Sequence, residues 1–260
     1  MNKRRHFLLA SALITIGYYL VQLTPFDWKY LSILSLAVFS FVYLLILFLR
    51  LSRDFRKSIV ATFLPICFLI GLSLFHFFFL EGLIWRLFLT LIFAVSFYTL
   101  CLIENVFLVS AKFKLVPLYR AASTVGFLIT LTSAFFLFDV VFSFRLSGLF
   151  NALTVTAISF LLLGHFFWTV DLSSPASGPN LPVVLVLSVI MAEMTLALSY
   201  WPVGFGRASL YLVGLLYVFG GLAQAYRRDR LFRKTVLEFI WVGVGIFLAL
   251  LLVTNWSGNF

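Results

Sequence analysis

The stretch LSILSLAVFSFVYLLILFL, residues 31–49, decides the fold of this chain. It is apolar on every face of a helix, and it is close to the length of about 20 residues that crosses the hydrocarbon of a bilayer. Residues 181–200, LPVVLVLSVIMAEMTLALSY, show the same pattern. Strands of a membrane barrel would alternate apolar and polar side chains, whereas a helix satisfies its backbone hydrogen bonds within one segment. Both stretches therefore predict transmembrane helices.

Composition extends this prediction to the whole chain. Of the 260 residues, 63% are hydrophobic and only 11% are charged, whereas about a quarter of the residues in a soluble domain are charged. We therefore predict an all-α protein, a polytopic transmembrane bundle of about nine helices that forms a single integral membrane domain over residues 1–260. The predicted spans are 7–25, 30–49, 58–80, 83–110, 120–143, 148–170, 181–200, 208–225 and 235–255.

Lysine and arginine predict the orientation, because these residues are enriched in cytoplasmic loops. With the N-terminus in the cytoplasm and the C-terminus outside, fifteen of the 19 basic residues fall on the inner side. The other four fall outside: Lys29, Arg86, Arg145 and Arg207. The basic clusters flank spans, which indicates contact with the lipid bilayer and its anionic headgroups. This distribution argues that the net charge of +10 does not serve binding to nucleic acid.

Ionisable side chains inside an apolar span are costly, so they are candidates for function. The candidate binding residues are Glu193, His165, Asp139 and His76. Glu193 is the first of them, because it alone lies far from both ends of its span. The structural alternatives are hydrogen bonding of His165 within helix packing and capping of the turn around Arg145 by Asp139 and Asn151.

Glu104 and Arg120 have a structural explanation of their own. Each lies eight residues from Lys112, near which the fourth and fifth predicted spans turn back on each other. The two side chains should therefore lie at similar depth. We predict that they form a structural ion pair.

Small and hydroxyl residues recur at helical spacing on two predicted spans, as they do where membrane helices approach closely. One stripe lies on the fifth span and one on the seventh. Their members are Ser123, Gly126, Thr130 and Ser133, and Ser188, Ala192, Thr195 and Ser199. We interpret both as packing surfaces; the lining of a polar cavity is the alternative.

Motifs of familiar membrane chemistry are missing from the sequence. It contains no His-Glu-x-x-His zinc pair, no Gly-x-Ser-x-Gly elbow and no Gly-x-x-x-x-Gly-Lys phosphate loop. Cys67 and Cys101 lie in apolar stretches without metal-ligand spacing. We predict no catalytic residue, no metal site and no cofactor. The sequence leans against an enzyme without deciding the question.

Three strings resemble segments of uncharacterised bacterial multi-pass membrane proteins. They are ENVFLVSA (104–111), AEMTLALSYWPVG (192–204) and RLFRKTVLEF (230–239). No activity is known for the proteins that they resemble, so the resemblance implies no site. It implies integration into a bacterial plasma membrane.

Three classes of function remain open from the sequence. The first is a non-enzymatic scaffold or anchor of a membrane or envelope assembly, with other membrane proteins as partners; the missing motifs and the packing stripes favour it. A small transporter or permease would use Glu193 as a polar group at the midplane. A membrane-embedded enzyme acting on lipid or glycan would have to use His165 and Glu104 as acid and base.

Overall fold

The computed structural model describes residues 3–79, 82–113, 116–170, 172, 181–228 and 231–254. This part of the chain is all helical, and its nine long helices confirm the predicted fold class. In chain order they are α1 (Lys3–Gln22), α2 (Lys29–Ser52), α3 (Phe55–Phe79), α4 (Leu83–Phe113), α5 (Val116–Ser143), α6 (Gly148–Val170), α7 (Leu181–Ser199), α8 (Phe205–Arg227) and α9 (Arg233–Val253). A short 3-10 turn, Phe26–Trp28, leads into α2.

Eight of the nine described helices, α2 to α9, are long and apolar enough to cross a membrane. The helix α1 is not among these eight, because basic residues at positions 3–5 lower its mean hydropathy. The rest of α1 is apolar, and its 20 residues correspond to a length of about 30 Å. Its span, the orientation of the termini and the assignment of a single membrane domain stay predictions.

The chain forms two compact units. The first unit contains α1 to α4 and α5 as far as Ser133. In its core α1 packs on α4, and the ring of Tyr18 stacks on that of Phe93 with 4.3 Å between centroids. Phe93 also stacks on Phe68 and Phe97, at 5.9 and 5.1 Å. Aromatic packing therefore joins α1, α3 and α4.

The second unit contains α5 from Ala134 onward and α6 to α9. The most extensive helix contact in this unit joins α6 and α7. The helix α9 packs on α8 alone among the pairs with substantial contact, and Leu250 is its only buried residue. Most of the surface of α9 is thus left exposed within this chain.

Large side chains of α9 pack against two glycines of α8. A Cβ added at Gly214 would lie 2.7 Å from Cδ1 of Ile246, and one at Gly221 would lie 2.5 Å from the ring of Phe239. Because real Cβ atoms do not approach so closely, any side chain at either position forces Ile246 or Phe239 to move. We call these four residues the α8–α9 seam.

Both predicted packing stripes lie against protein rather than on open surface. All four members of the α5 stripe are buried. Of the four small residues on α7, Ser188 and Thr195 are buried and Ala192 and Ser199 are half-buried. The hydroxyls of Ser188 and Thr195 donate to carbonyls four residues earlier in their own helix, at 2.7 Å. This burial supports the packing interpretation.

Candidate functional site

Glu193 is exposed on the surface of α7. Exposed positions before and after it, at helical spacing, include Leu185, Val189, Leu196 and Tyr200. We call these four residues together with Glu193 the α7 stripe. The stripe is an apolar surface with one carboxylate in its middle, and it lies apart from the buried face that contains Ser188 and Thr195.

Asp139 is buried near the end of α5 and connects that helix to the beginning of α8. Its Oδ1 atom accepts a hydrogen bond of 2.8 Å from the Ser209 hydroxyl. A Cβ added at Gly206 would lie 3.6 Å from the same oxygen, so the first turn of α8 approaches the carboxylate closely. The amino end of a helix has free N–H groups and a partial positive charge, so it suits a hydrogen-bond acceptor such as this carboxyl group.

The sequence suggested Asp139 and Asn151 as caps of the α5–α6 turn, and Asn151 contacts that turn. Its Nδ2 atom donates to the Leu146 carbonyl oxygen in that turn and to the Ser199 hydroxyl of α7, both at 3.4 Å. Asp139 therefore connects α5 to α8, whereas Asn151 connects α6 to α7 and to its own turn.

We expect Asp139→Leu to lower the free energy of unfolding by about 1.5–3 kcal/mol, the range for a hydrogen bond to a charged group. Asp139→Asn should cost less, because it keeps an acceptor for Ser209. Thermal unfolding in detergent measures both. In a Ser209→Ala background the cost of Asp139→Leu should shrink, and an undiminished cost there would show that the bond is unimportant.

His165 is buried in α6, where its ring lies 5.7 Å from that of Trp168 at an interplanar angle of 56°. The Trp168 ring therefore packs near the imidazole. Its role in binding stays a prediction.

Glu104 and Arg120 occupy different environments. Glu104 is fully buried in α4, whereas Arg120 is exposed on α5. Similar depth along the two helices therefore does not give the two side chains the same burial. Their ion pair stays a prediction.

A group of polar side chains lies inside the first unit, where α1 and α3 end and α4 begins. Tyr18, Gln22 and His76 are almost completely buried, and Arg86 and Thr90 are half-buried. The Gln22 amide donates to the Thr90 hydroxyl at 3.4 Å, and that hydroxyl donates to the Arg86 carbonyl oxygen at 2.7 Å. The Arg86 guanidinium acts electrostatically on the His76 imidazole. We call these five residues the polar cluster.

Several buried atoms of the polar cluster have no hydrogen-bond partner among the described residues: Tyr18 Oη, Gln22 Oε1, His76 Nδ1 and Arg86 Nε. Tyr18 and Gln22 are neighbours one turn apart on α1, but the geometry of their approach satisfies neither atom. An orphaned buried polar group costs about 1–3 kcal/mol. The polar cluster therefore retains hydrogen-bonding capacity that the described part of the chain does not use.

Sequence analysis singled out only His76 of this cluster. Tyr18 and Gln22 lie on α1 with four-residue spacing, which was the available signal for a shared polar face. Arg86 was interpreted only as a topological marker. Contact of α1 with α3 and α4, which lie much further along the chain, was not readable from any one of these helices.

No metal centre emerges from the described side chains. Among them no group of three or more His, Cys, Asp or Glu residues could hold a metal ion. Cys101 is buried and Cys67 is half-buried in α3. The polar contacts described above consist of hydroxyl, amide, carboxylate, imidazole and guanidinium groups.

The helical architecture and the eight long apolar helices define the class of the chain as a multi-pass membrane protein. The chain belongs to an uncharacterised family, described as protein of unknown function (DUF5656), whose model matches residues 29–253. Membership confirms the resemblance to an uncharacterised family. No curated protein and no solved structure matches the chain.

Proposed function

We propose that this protein is a non-enzymatic membrane scaffold and that its α7 stripe binds a transmembrane helix of another membrane protein. The exposure of Glu193 in the middle of an apolar helix surface carries the proposal. A charged side chain at the centre of a membrane helix costs about 2.5–3.5 kcal/mol on insertion scales. A partner that hydrogen-bonds to the carboxylate offsets this cost, and lipid tails do not.

The chemistry of the α7 stripe specifies the partner. Leu185, Val189 and Leu196 offer aliphatic surface for close helix packing. The partner helix must place a hydrogen-bond donor opposite Glu193, such as an Asn, Gln, His or Lys side chain. A second copy of this chain in the same orientation would bring two Glu193 carboxylates together, and like charges repel. The expected occupant is therefore a different protein.

The exposed position of Glu193 favours scaffolding over transport. A transporter that used Glu193 as its midplane group would hold the carboxylate on the wall of a polar path between helices. Here the exposed neighbours of Glu193 along α7 are Leu185, Val189, Leu196 and Tyr200. That surface suits helix association better than passage of a polar solute.

The proposal includes a location and an orientation. We place the protein in a bacterial plasma membrane, with its N-terminus in the cytoplasm. The basic turns between α2 and α3 and between α8 and α9 then lie against the anionic headgroups of the inner leaflet, where each basic residue near the surface contributes about 1 kcal/mol.

Photocrosslinking in native membranes tests the scaffold. A photoreactive residue at Val189 or Leu196, which flank Glu193, should give a product with one distinct membrane protein. Glu193→Leu should reduce its yield by about 5–30-fold, which corresponds to loss of a membrane hydrogen bond of about 1–2 kcal/mol. Glu193→Gln should retain most of it, because the amide still forms a hydrogen bond.

The matched control is a photoreactive residue at Leu153, which is 59% exposed on α6. That position has no carboxylate beside it in the sequence and should give only lipid or diffuse products. A crosslinked homodimer, equal products from Leu153 and Val189, or a yield indifferent to Glu193→Leu would contradict the proposal.

A further inference from the structure

The unused donors of the polar cluster come from three helices that meet at one end of the first unit. Tyr18 Oη belongs to α1, His76 Nδ1 to α3 and Arg86 Nε to α4. A hydroxyl, an imidazole and a guanidinium can all donate hydrogen bonds, and the guanidinium is permanently charged. Tyr18 and His76 are 0% and 2% exposed, so bulk water does not compensate them. Such a set of donors is complementary to an oxyanion.

Positive charge is concentrated at this end of the first unit. Besides Arg86, the buried Lys29 places its Nζ atom 4.9–5.7 Å from the ring centroids of Tyr30, Phe77 and Phe78. Phe77 follows His76 directly in α3. Lys29 is therefore held close to the polar cluster in a cage of aromatic rings.

Negative charge at the same end does not enter the cluster in the described residues. Asp27, in the turn before α2, is exposed. Glu81 lies outside the described residues. Among the described residues, the cluster is thus rich in donors, and Arg86 is its permanently charged member.

The level of the cluster suits a headgroup. The helix α1 ends at Gln22 and α4 begins at Leu83, so Arg86 belongs to the first turn of α4. Trp85 beside it is exposed, and tryptophan prefers the level of the lipid headgroups. Arg86 and Thr90 are half-buried, so the cluster is partly accessible on the side of α4.

We propose that the polar cluster is a binding site for a phosphate group, carried either by a lipid headgroup or by free phosphate. Arg86 supplies charge and a planar pair of donors, which suits phosphate oxygens. Tyr18 Oη and His76 Nδ1 supply further donors. A phosphate has enough oxygens to accept from all of them, whereas a carboxylate has two.

Thermal unfolding of the purified, delipidated full chain tests the site with two probes. Inorganic phosphate is one probe, and mixed micelles containing phosphatidylglycerol are the other; diacylglycerol, which has no phosphate, is the negative control. At a probe concentration of about 100 times the dissociation constant, binding should raise Tm by about 5 °C or more. A rise with inorganic phosphate identifies the free ion as sufficient, and a rise with the lipid alone identifies the headgroup.

Variants locate the binding. Arg86→Gln should lower the affinity for the effective probe at least about tenfold, as expected for loss of a charge-assisted pair of hydrogen bonds. Arg56→Gln removes the same charge from an exposed position at the beginning of α3 and should leave the affinity unchanged. Equal affinity in both variants would overturn the proposal, as would the absence of any rise in Tm with either probe.

His76→Leu separates binding from a structural role. Without probe, this variant removes an unsatisfied buried atom, so its Tm should be equal to or above that of the parent. With probe, its rise in Tm should be lost. A Tm lowered without probe, together with an undiminished rise, would show that the histidine serves packing and would overturn its place in the site.

Discussion

Replacing Gly214 and Gly221 together with leucine should detach α9 from α8 and lower the free energy of unfolding by about 2–6 kcal/mol. Overpacking of a close contact costs about 1–3 kcal/mol at each position. The two positions are seven residues apart, or about 10 Å along the helix, so their effects should nearly add. Thermal unfolding in detergent and proteolysis between α8 and α9 both measure the loss.

Few other contacts compensate for the loss of the α8–α9 seam. Leu250 is the only buried residue of α9. At the far end of the helix, the Trp201 indole donates to the Thr254 hydroxyl at 3.1 Å, and Arg207 donates to the Val253 carbonyl oxygen at 2.9 Å. These bonds anchor one end of α9 and leave the rest dependent on the two glycines.

Gly245→Leu is the matched control for the double variant. A Cβ added at Gly245 of α9 would meet nothing within 4 Å, and leucine is a better helix former than glycine. Stability should therefore be unchanged or slightly higher. A double variant as stable as the parent would mean that Ile246 and Phe239 move aside without cost and that the seam does not hold α9.

Cysteine labelling should divide the turns of the chain into two groups. In a background with Cys67→Ala and Cys101→Ala, Arg56→Cys and Arg228→Cys should react only after permeabilisation of bacterial cells. Leu146→Cys and Gly204→Cys should react in intact cells. The reason is that basic residues near the spans resist translocation and stay in the cytoplasm.

The expected labelling contrast is nearly complete, because a turn lies on one side of the membrane or the other. The Leu146 and Gly204 variants serve as positive controls for reagent access in intact cells. Labelling of Arg56→Cys from outside would reverse the proposed orientation. Labelling of all four turns from outside would remove the alternating topology altogether.

The sequence was sufficient to predict nine helices, and the described helices begin and end within four residues of the predicted spans. Hydropathy is a local property: an apolar segment such as residues 31–49 satisfies its own backbone groups whatever its neighbours are. Small residues also predicted where helices approach each other closely, because a small side chain lets two helices pack together. The burial of the α5 stripe agrees with this prediction.

The faces of these helices were decided only by the tertiary structure. In a soluble helix, polar residues mark the exposed side, but lipid is as apolar as a protein core. Residues on both sides of α7 are therefore aliphatic, and nothing in its sequence showed that Glu193 is exposed while Ser188 is buried. The sequence by itself determined which segments form long apolar helices; packing between helices decided that Asp139 meets Ser209 and that Tyr18, His76 and Arg86 share one cluster.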